Sequence, residues 1–304
     1  MIEAVVAAIT PLVLIVSGSN PTPIVAGQTP PTWLDGQFTN GDNVEMVPYP
    51  AGYFPVEGKS EVGPSTAIGV TNTLAMQNAA LAAGTPLTIM GTSQGALVID
   101  QVITDDIAAG VRPNALSFVI IEDPNRGSGI LTFVRGITVP ILDYKPIPIP
   151  DSPYNTTVVT AEYDGVADFP TNPLNVLADI NAVIGLNYLH VPSVYSDLST
   201  VPAANITKTT DSAGGVTTTY LVPTAELPIA KELGQLGLPA PIVSFVNRLL
   251  RPVIDSAYAG RLKMDAEDAA ASVPADNATA ATAVTAAKAA DIKTVARSLR
   301  VRVS

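Results

Sequence analysis

Short apolar runs that end in turn-forming residues alternate along the chain with longer stretches in which apolar residues recur every three or four positions. Runs of the first kind predict strands, and stretches of the second kind predict helices. The predicted strands are 12–16, 43–52, 86–90, 115–124 and 156–165. The predicted helices are 65–84, which Ser65 could cap, 94–109, which ends at Gly110, and 172–186. This alternation indicates an α/β fold in which a mostly parallel sheet is flanked by helices.

The pattern changes after the last of these helices. Two threonine-rich runs surround Asp-Ser-Ala-Gly-Gly within 206–223 and predict a β-hairpin. Residues 227–261 are apolar and interrupted by prolines, which predicts several short helices. The chain is alanine-rich from Asp265 onward, with acidic residues early and basic residues late, a charge order that suits a helix. We therefore expect three parts: a core over 1–225, an apolar helical lid or groove segment over 226–264 packed on it, and a helical or partly disordered tail over 265–304.

Composition narrows the chemistry that this fold can carry. The 304 residues have a net charge of −11, which argues against a nucleic-acid partner and against electrostatic binding to anionic lipid. The chain has no cysteine and one histidine, so disulfides are excluded and structural zinc is nearly excluded. A calcium or magnesium site made of carboxylates alone is the open alternative, although no loop shows its ligand spacing. We expect neither a metal nor another cofactor.

The first 20 residues contain an apolar run that does not match a secretory signal peptide. The run lacks a basic start, contains Glu3 and is interrupted by Pro11. No apolar run reaches the roughly 18 residues of a membrane span. The sequence therefore predicts no transmembrane span.

The strongest candidate for chemistry is "GTSQG" (91–95), a G-x-S-x-G motif between a predicted strand and a predicted helix. A nucleophilic serine on a tight strand-to-helix turn needs small residues two positions before and after it, because a Cβ there would clash with the backbone. Such a turn also points the N–H of the next residue toward the place where an oxyanion would form. The motif predicts Ser93 as a nucleophile and Gln94 as an oxyanion donor. The alternative is a structural turn that happens to contain a serine.

A serine hydroxyl needs a general base, and the single histidine restricts the choice to His190, on a predicted loop after the helix 172–186. A histidine without a catalytic role is the alternative. The orienting carboxylate should lie at the end of a later strand, which favours Asp164. Asp168, which could instead cap a helix or brace the loop, and Asp123, on the neighbouring strand, are alternatives. The chain order serine, aspartate, histidine is that of α/β-hydrolases.

A second oxyanion donor is expected from the loop after an early strand, and "VSGSNPTP" (16–23) has that position. Gly18 lets the backbone approach closely, and Ser19 offers its N–H or its hydroxyl. The alternative is a plain glycine turn. The predicted oxyanion hole therefore consists of Gln94, Ser19 and Gly18.

Seven segments, in sequence order, carry a family resemblance. They are "SGSNPTP", "VPYPAGYFP", "GTSQGA", "EDPNRGSGI", "EYDGVADFP", "NYLHVPSVY" and "TTYLVPTAELP". Together they resemble the PE-PPE domain, a serine α/β-hydrolase family typical of mycobacteria and related actinobacteria and distantly similar to cutinases. The family's serine falls on Ser93, its histidine on His190, and its acid in the segment that contains Asp164 and Asp168.

The resemblance implies an α/β-hydrolase fold and esterase activity on acyl esters, or acyl transfer between envelope glycolipids such as acylated trehaloses. It also implies a secreted or envelope-associated protein with, at most, peripheral lipid contact. We expect a carboxylesterase that forms an acyl-enzyme on Ser93. The alternatives are an acyltransferase and a non-catalytic binding protein on a hydrolase scaffold. The sequence does not define an oligomeric state.

Overall fold

The computed structural model of this chain describes residues 10–172 and 174–258. Its strands are Leu12–Val16 (β1), Asn43–Met46 (β2), Leu87–Thr92 (β3), Leu116–Ile121 (β4), Asn155–Ala161 (β5), Ile206–Thr210 (β6) and Val216–Val222 (β7). Its helices are Val62–Ala82 (α1), Gln94–Ala109 (α2), Val176–Tyr188 (α3), Pro228–Gln235 (α4) and Ala240–Asp255 (α5). The predicted tail over 265–304 lies outside the described residues.

These strands form one sheet in the order β2-β1-β3-β4-β5-β7-β6. Neighbouring strands are parallel except for β6 and β7, which form the antiparallel hairpin. The predicted mostly parallel sheet with an added hairpin is confirmed. The carboxyl ends of β1, β3, β4 and β5 therefore lie at one edge of the sheet, which is where open α/β sheets bind their ligands.

The centre of the sheet is buried on both faces. Leu14 and Ile15 of β1 and Ile120 and Ile121 of β4 have no exposed surface. Helices α1 and α2 pack against each other and against β1 and β3. Because consecutive residues of a strand point to opposite faces, a strand covered on both sides favours apolar residues at every position. This explains the uninterrupted apolar runs in the sequence.

Two helices differ from their predicted bounds. α1 begins at Val62, and Ser65 lies buried in its first turn, where its hydroxyl accepts a hydrogen bond from the Gly52 N–H at 3.1 Å. The serine thus anchors a neighbouring loop and does not cap the helix. α3 begins later than predicted because Asn175 caps it, accepting from the N–H three residues further on at 3.1 Å.

The segment after the hairpin forms two described helices where several short ones were predicted. α5 runs unbroken over 16 residues because its prolines fall near its ends, Pro241 in the first turn and Pro252 in the last. α4 and α5 pack against α3 around a second apolar cluster that includes Tyr163, Leu227 and Ile254. Within the described ranges, no helix has the length and apolar character to cross a membrane.

Candidate active site

Ser93 occupies the tight turn between β3 and α2. β3 ends at Thr92 and α2 begins at Gln94, so Ser93 alone joins them, with φ 53° and ψ −116°. A positive φ is uncommon for a residue with a Cβ, and such strain is concentrated at functional sites. The Ser93 N–H donates to the Ile121 carbonyl at 3.0 Å. The turn is thereby tied to the neighbouring strand β4.

The two glycines of the motif are required by packing. A Cβ on Gly95 would lie 2.0 Å from the carbonyl oxygen of Val16, and a Cβ on Gly91 would lie 2.6 Å from that of Gly95. Both distances are far below any van der Waals contact. A larger residue at Gly95 would push α2 away from β1, and one at Gly91 would push α2 away from β3, in agreement with the steric reason for small residues in this motif.

His190 lies between Ser93 and Asp164, which are far apart in the sequence. For a neutral imidazole with its proton on Nδ1, Nε2 accepts from the Ser93 hydroxyl at 2.9 Å and Nδ1 donates to Asp164 Oδ2 at 2.6 Å. The other Asp164 oxygen accepts from the Val166 N–H at 2.9 Å. Asp164 is fully buried, whereas the His190 side chain is 16% exposed. The structure therefore brings the three predicted residues together, with Ser93 and His190 half-buried and Asp164 fully buried.

The charges in this group depend on burial and on the short contact between His190 and Asp164. Burial lowers the pKa of His190, but the charge and hydrogen bond of Asp164 raise it more, so the pKa lies above its ordinary value. Burial raises the pKa of Asp164, but the charge and hydrogen bond of His190, together with the Val166 N–H, bring it below its ordinary value. An ionised Asp164 stabilises a protonated His190, as a base that takes a serine proton requires.

The two alternative acids have other partners. Asp168 accepts from the Tyr163 N–H at 2.7 Å and from the Ser128 hydroxyl at 2.7 Å. It therefore braces the loop after β5. Asp123 forms an ion pair with Arg126 Nε at 3.2 Å. Of the three candidate acids, Asp164 is the one hydrogen-bonded to the histidine.

The three predicted oxyanion residues lie around Ser93. Gln94 is the first residue of α2, so its backbone N–H has no acceptor inside the helix. Its side chain donates to the Gly52 carbonyl at 2.9 Å and accepts a long hydrogen bond from the Ser19 hydroxyl at 3.4 Å. A Cβ on Gly18 would lie 3.2 Å from the Ser93 Cβ, so the loop after β1 touches the serine. The role of these groups as an oxyanion hole stays a prediction.

Sequence reasoning missed one acidic residue at this site. Glu122 directly follows β4, has φ 52° and is fully buried. Its Oε1 accepts from the Ala161 N–H at 2.9 Å. One of its oxygens lies within 4.8 Å of an oxygen of Asp164 and of a ring nitrogen of His190. The strand order could have pointed to it, since β4 lies between β3 and β5, the strands that precede Ser93 and Asp164.

Glu122, Asp164 and His190 are also close enough to one another to hold a cation. Two of them already form a 2.6 Å hydrogen bond that uses Nδ1 of the imidazole. That bond accounts for the spacing without a metal. The three side chains suit the sharing of protons better than the binding of an ion.

A mostly parallel sheet with a serine on the turn after an inner strand, and with an aspartate and a histidine from later in the chain beside it, defines an α/β-hydrolase. Within that class, the chain belongs to the PE-PPE domain family, and the PE-PPE domain matches residues 40–259. This confirms the resemblance carried by the seven sequence segments.

Three curated relatives, all from Mycobacterium tuberculosis strain H37Rv, are similar over most of this chain. SL1278 acyltransferase Chp1 is 37% identical over 223 residues, which are 70% of this chain and 53% of Chp1. Diacyltrehalose acyltransferase Chp2 is 34% identical over 235 residues, 71% of this chain and 65% of Chp2. Esterase PE16 is 36% identical over 197 residues, 62% of this chain and 36% of PE16. The chain spans about half the length of the first curated relatives that it matches.

Proposed function

We propose that this chain is a serine enzyme that cleaves acyl esters through an acyl-enzyme. The observation that carries the proposal is the continuous hydrogen bonding from Ser93 through His190 to Asp164, at 2.9 and 2.6 Å. The positive φ of Ser93 and the N–H of Gln94, which has no acceptor within α2, are further features that support this chemistry. Relatives named as an esterase and as acyltransferases support chemistry on acyl esters.

In the proposed reaction, Ser93 Oγ attacks the ester carbonyl carbon while His190 Nε2 takes the hydroxyl proton. The carbonyl oxygen becomes an oxyanion that accepts hydrogen bonds from the Gln94 N–H and from the loop that contains Gly18 and Ser19. The alkoxide then leaves with the proton from His190, and the acyl group stays on Ser93. Water attacks the acyl-enzyme, and His190 takes and returns a proton again. Asp164 orients the imidazole and stabilises its charge in both steps.

Turnover of p-nitrophenyl esters of increasing chain length tests this reaction. Ser93→Ala should abolish nearly all of it, because the members of such a group act as a unit and removal of one costs about 10⁴-fold or more. A fluorophosphonate probe should label the wild-type protein but not Ser93→Ala, and Ser244→Ala, at an exposed position on α5, is the matched control. A folded wild-type protein that the probe does not label would support the non-catalytic binding protein.

The acyl chain is proposed to lie against the segment 226–264. In its described part, α5 exposes apolar side chains at three- and four-residue spacing, with Ile242 49%, Phe245 57% and Leu249 58% exposed. Contiguous apolar surface of this kind marks contact with lipids or partners. Ile242→Asp and Leu249→Asp should slow long-chain ester turnover and spare short-chain esters, with Ser244→Asp as the control. Unchanged long-chain turnover would refute this assignment.

Acyl transfer is the second candidate reaction, because Chp1 and Chp2 are named acyltransferases. Both reactions pass through the same acyl-enzyme, and exclusion of water decides whether an alcohol can replace it. Trehalose or an acylated trehalose, added with an acyl-ester donor, should then yield a new ester detectable by mass spectrometry. Release of the acyl group only as free acid at saturating acceptor would assign hydrolysis.

Because the family resemblance implies envelope glycolipids as substrates, we also propose that the protein is secreted or associated with the cell envelope, with at most peripheral lipid contact. Separation of cell-wall, membrane, cytosolic and culture-medium fractions tests this. Recovery in the cytosol alone would contradict it.

A further inference from the structure

Two carboxyl groups and one imidazole are packed together beneath Ser93. Glu122 and Asp164 have no exposed surface, and they lie within 4.8 Å of each other and of His190. Each Asp164 oxygen accepts one N–H, from the His190 ring and from Val166. The proposed reaction gives Glu122 no role, although it lies beside the histidine.

The two oxygens of Glu122 have different surroundings. Oε1 accepts from the Ala161 N–H at 2.9 Å. Oε2 is buried and, among the described residues, receives no N–H or O–H in hydrogen-bonding geometry. An ionised carboxylate with a bare, buried oxygen next to a second carboxylate is costly, because lost hydration and charge repulsion both act against it. A proton on Oε2 removes the repulsion and turns the bare acceptor into a donor for Asp164.

We propose that Glu122 is a neutral carboxylic acid that donates a hydrogen bond to Asp164 and thereby positions the carboxylate that orients His190, an inference that rests on the proposed function. Glu122 would act on the reaction through Asp164, while the Ser93 hydroxyl is bonded to His190, so Glu122 is a positioning residue. The proton belongs on Glu122 and not on Asp164, because Asp164 faces the imidazole and already accepts from two N–H groups.

The charges around Glu122 agree with this assignment. Burial raises the pKa of Glu122 well above its usual range, and the charge of Asp164 raises it further. The titratable groups that face it are Asp164, from the loop after β5, and His190, from the segment after α3. The Ala161 N–H that Oε1 accepts is uncharged, and the nearby Ser193 hydroxyl donates to the His190 carbonyl at 3.0 Å.

The protonation state of Glu122 has a direct effect on the base. A neutral donor makes Asp164 less basic and holds it against Nδ1 of His190. An ionised Glu122 would instead add a second negative charge beside the imidazole and raise the pKa of His190 still further. The two states therefore predict opposite responses when the side chain is replaced by an uncharged one.

Glu122→Gln and Glu122→Ala test the proposal. Glutamine keeps the shape, an acceptor for the Ala161 N–H and a neutral donor for Asp164, whereas alanine keeps none of these. We expect kcat/KM to stay within about threefold in Glu122→Gln and to fall about tenfold or more in Glu122→Ala, as for loss of a hydrogen bond to a charged group. The acid limb of the pH profile should be unchanged in Glu122→Gln and shifted upward in Glu122→Ala. A downward shift in Glu122→Gln would mean that a negative charge was removed, and would overturn the proposal.

Infrared difference spectroscopy keeps this inference separable from the proposed function. Near neutral pH, the wild-type minus Glu122→Gln spectrum should contain the C=O stretch of a protonated carboxylic acid, whether or not the protein turns over esters. The exposed Glu45→Gln is the control and should lack that band. A carboxylate band in place of the acid band would overturn the proposal. Absence of Ser93-dependent turnover in the wild type would instead refute the proposed function.

Discussion

Asp106→Asn should stabilise the fold, because Asp106 is a buried carboxylate with too few hydrogen-bond donors. Its Oδ1 accepts from the Gln77 side-chain amide at 2.6 Å, which joins α2 to α1. The other carboxylate oxygen and the Gln77 carbonyl oxygen are both buried acceptors without a donor among the described residues. Asparagine would keep the first hydrogen bond and present an N–H in place of the second oxygen. The amide could then satisfy the Gln77 oxygen as well.

The size of the effect follows from the pKa of Asp106. Burial raises this pKa from 3.8 to about 6, while the Gln77 hydrogen bond lowers it and the neighbouring Asp105 raises it. A carboxyl group whose folded pKa is raised binds its proton more tightly in the folded state, so its ionisation destabilises the fold above that pKa. A shift of this size corresponds to about 3 kcal/mol of unfolding free energy at neutral pH. The penalty should fall to about half at a pH near 5, between the two pKa values.

Urea unfolding of the wild type and of Asp106→Asn at a pH of about 7.5 and about 5 measures this effect. We expect a gain of about 2 to 3 kcal/mol at the higher pH and a clearly smaller gain at the lower pH. Asp105→Asn is the matched control, because Asp105 is adjacent on the same helix and half-buried, and it should change stability by no more than about 0.5 kcal/mol. A gain that does not depend on pH, or a loss of stability, would refute the reasoning.

The remaining predictions concern the proposed active site and the turn that holds it. The pKa of His190 lies above its ordinary value of 6.5, and only a neutral imidazole accepts the serine proton. We therefore expect kcat/KM to rise with pH through a midpoint above 6.5. A lower midpoint would contradict the contacts assigned to His190. Asp164→Asn should lower kcat by about 10⁴, and Asp168→Asn should chiefly lower the melting temperature; equal kinetic losses would reopen the choice of acid. Gly95→Ala should prevent folding, because its Cβ would lie 2.0 Å from a carbonyl oxygen of β1. Gly234→Ala places its Cβ 3.7 Å from the nearest side chain, so it should leave the stability of the fold unchanged or raise it. Circular dichroism melts compare the two glycine variants, and a folded Gly95→Ala of normal stability would be the contrary result.

The types and order of most elements could be predicted from the sequence, because the central strands are apolar at consecutive positions and the hairpin contains a clear turn signal. The bounds of the helices could not be predicted as well. Whether Ser65 caps α1 or lies inside it depends on Gly52, whose N–H reaches the serine hydroxyl only in the folded chain. The length of α5 depends on where two prolines fall within the helix, and a count of prolines does not show this.

The residues of the candidate site differ in how far the sequence could reveal them. Ser93 and His190 could be predicted from the sequence. The glycines of the serine motif have a steric reason, and the chain contains a single histidine. Glu122 was not, because its relation to Asp164 exists only where two strand ends meet. Nothing local distinguishes Glu122 from the next residue, Asp123. Glu122 lies beside Asp164 and His190, whereas Asp123 pairs with Arg126, and the positive φ of Glu122 that separates the two directions is not evident from the sequence.

The hydrogen bond between Ser93 and His190 joins positions 97 residues apart. Contacts of such large sequence separation form slowly, because the chain loses the entropy of closing a long loop before the contact contributes favourable energy. The strands that flank β4 must therefore be in register before the serine and the histidine can meet. For this chain, the regain of ester turnover after dilution from denaturant should lag behind the regain of helical circular dichroism, so turnover reports when the serine and the histidine meet.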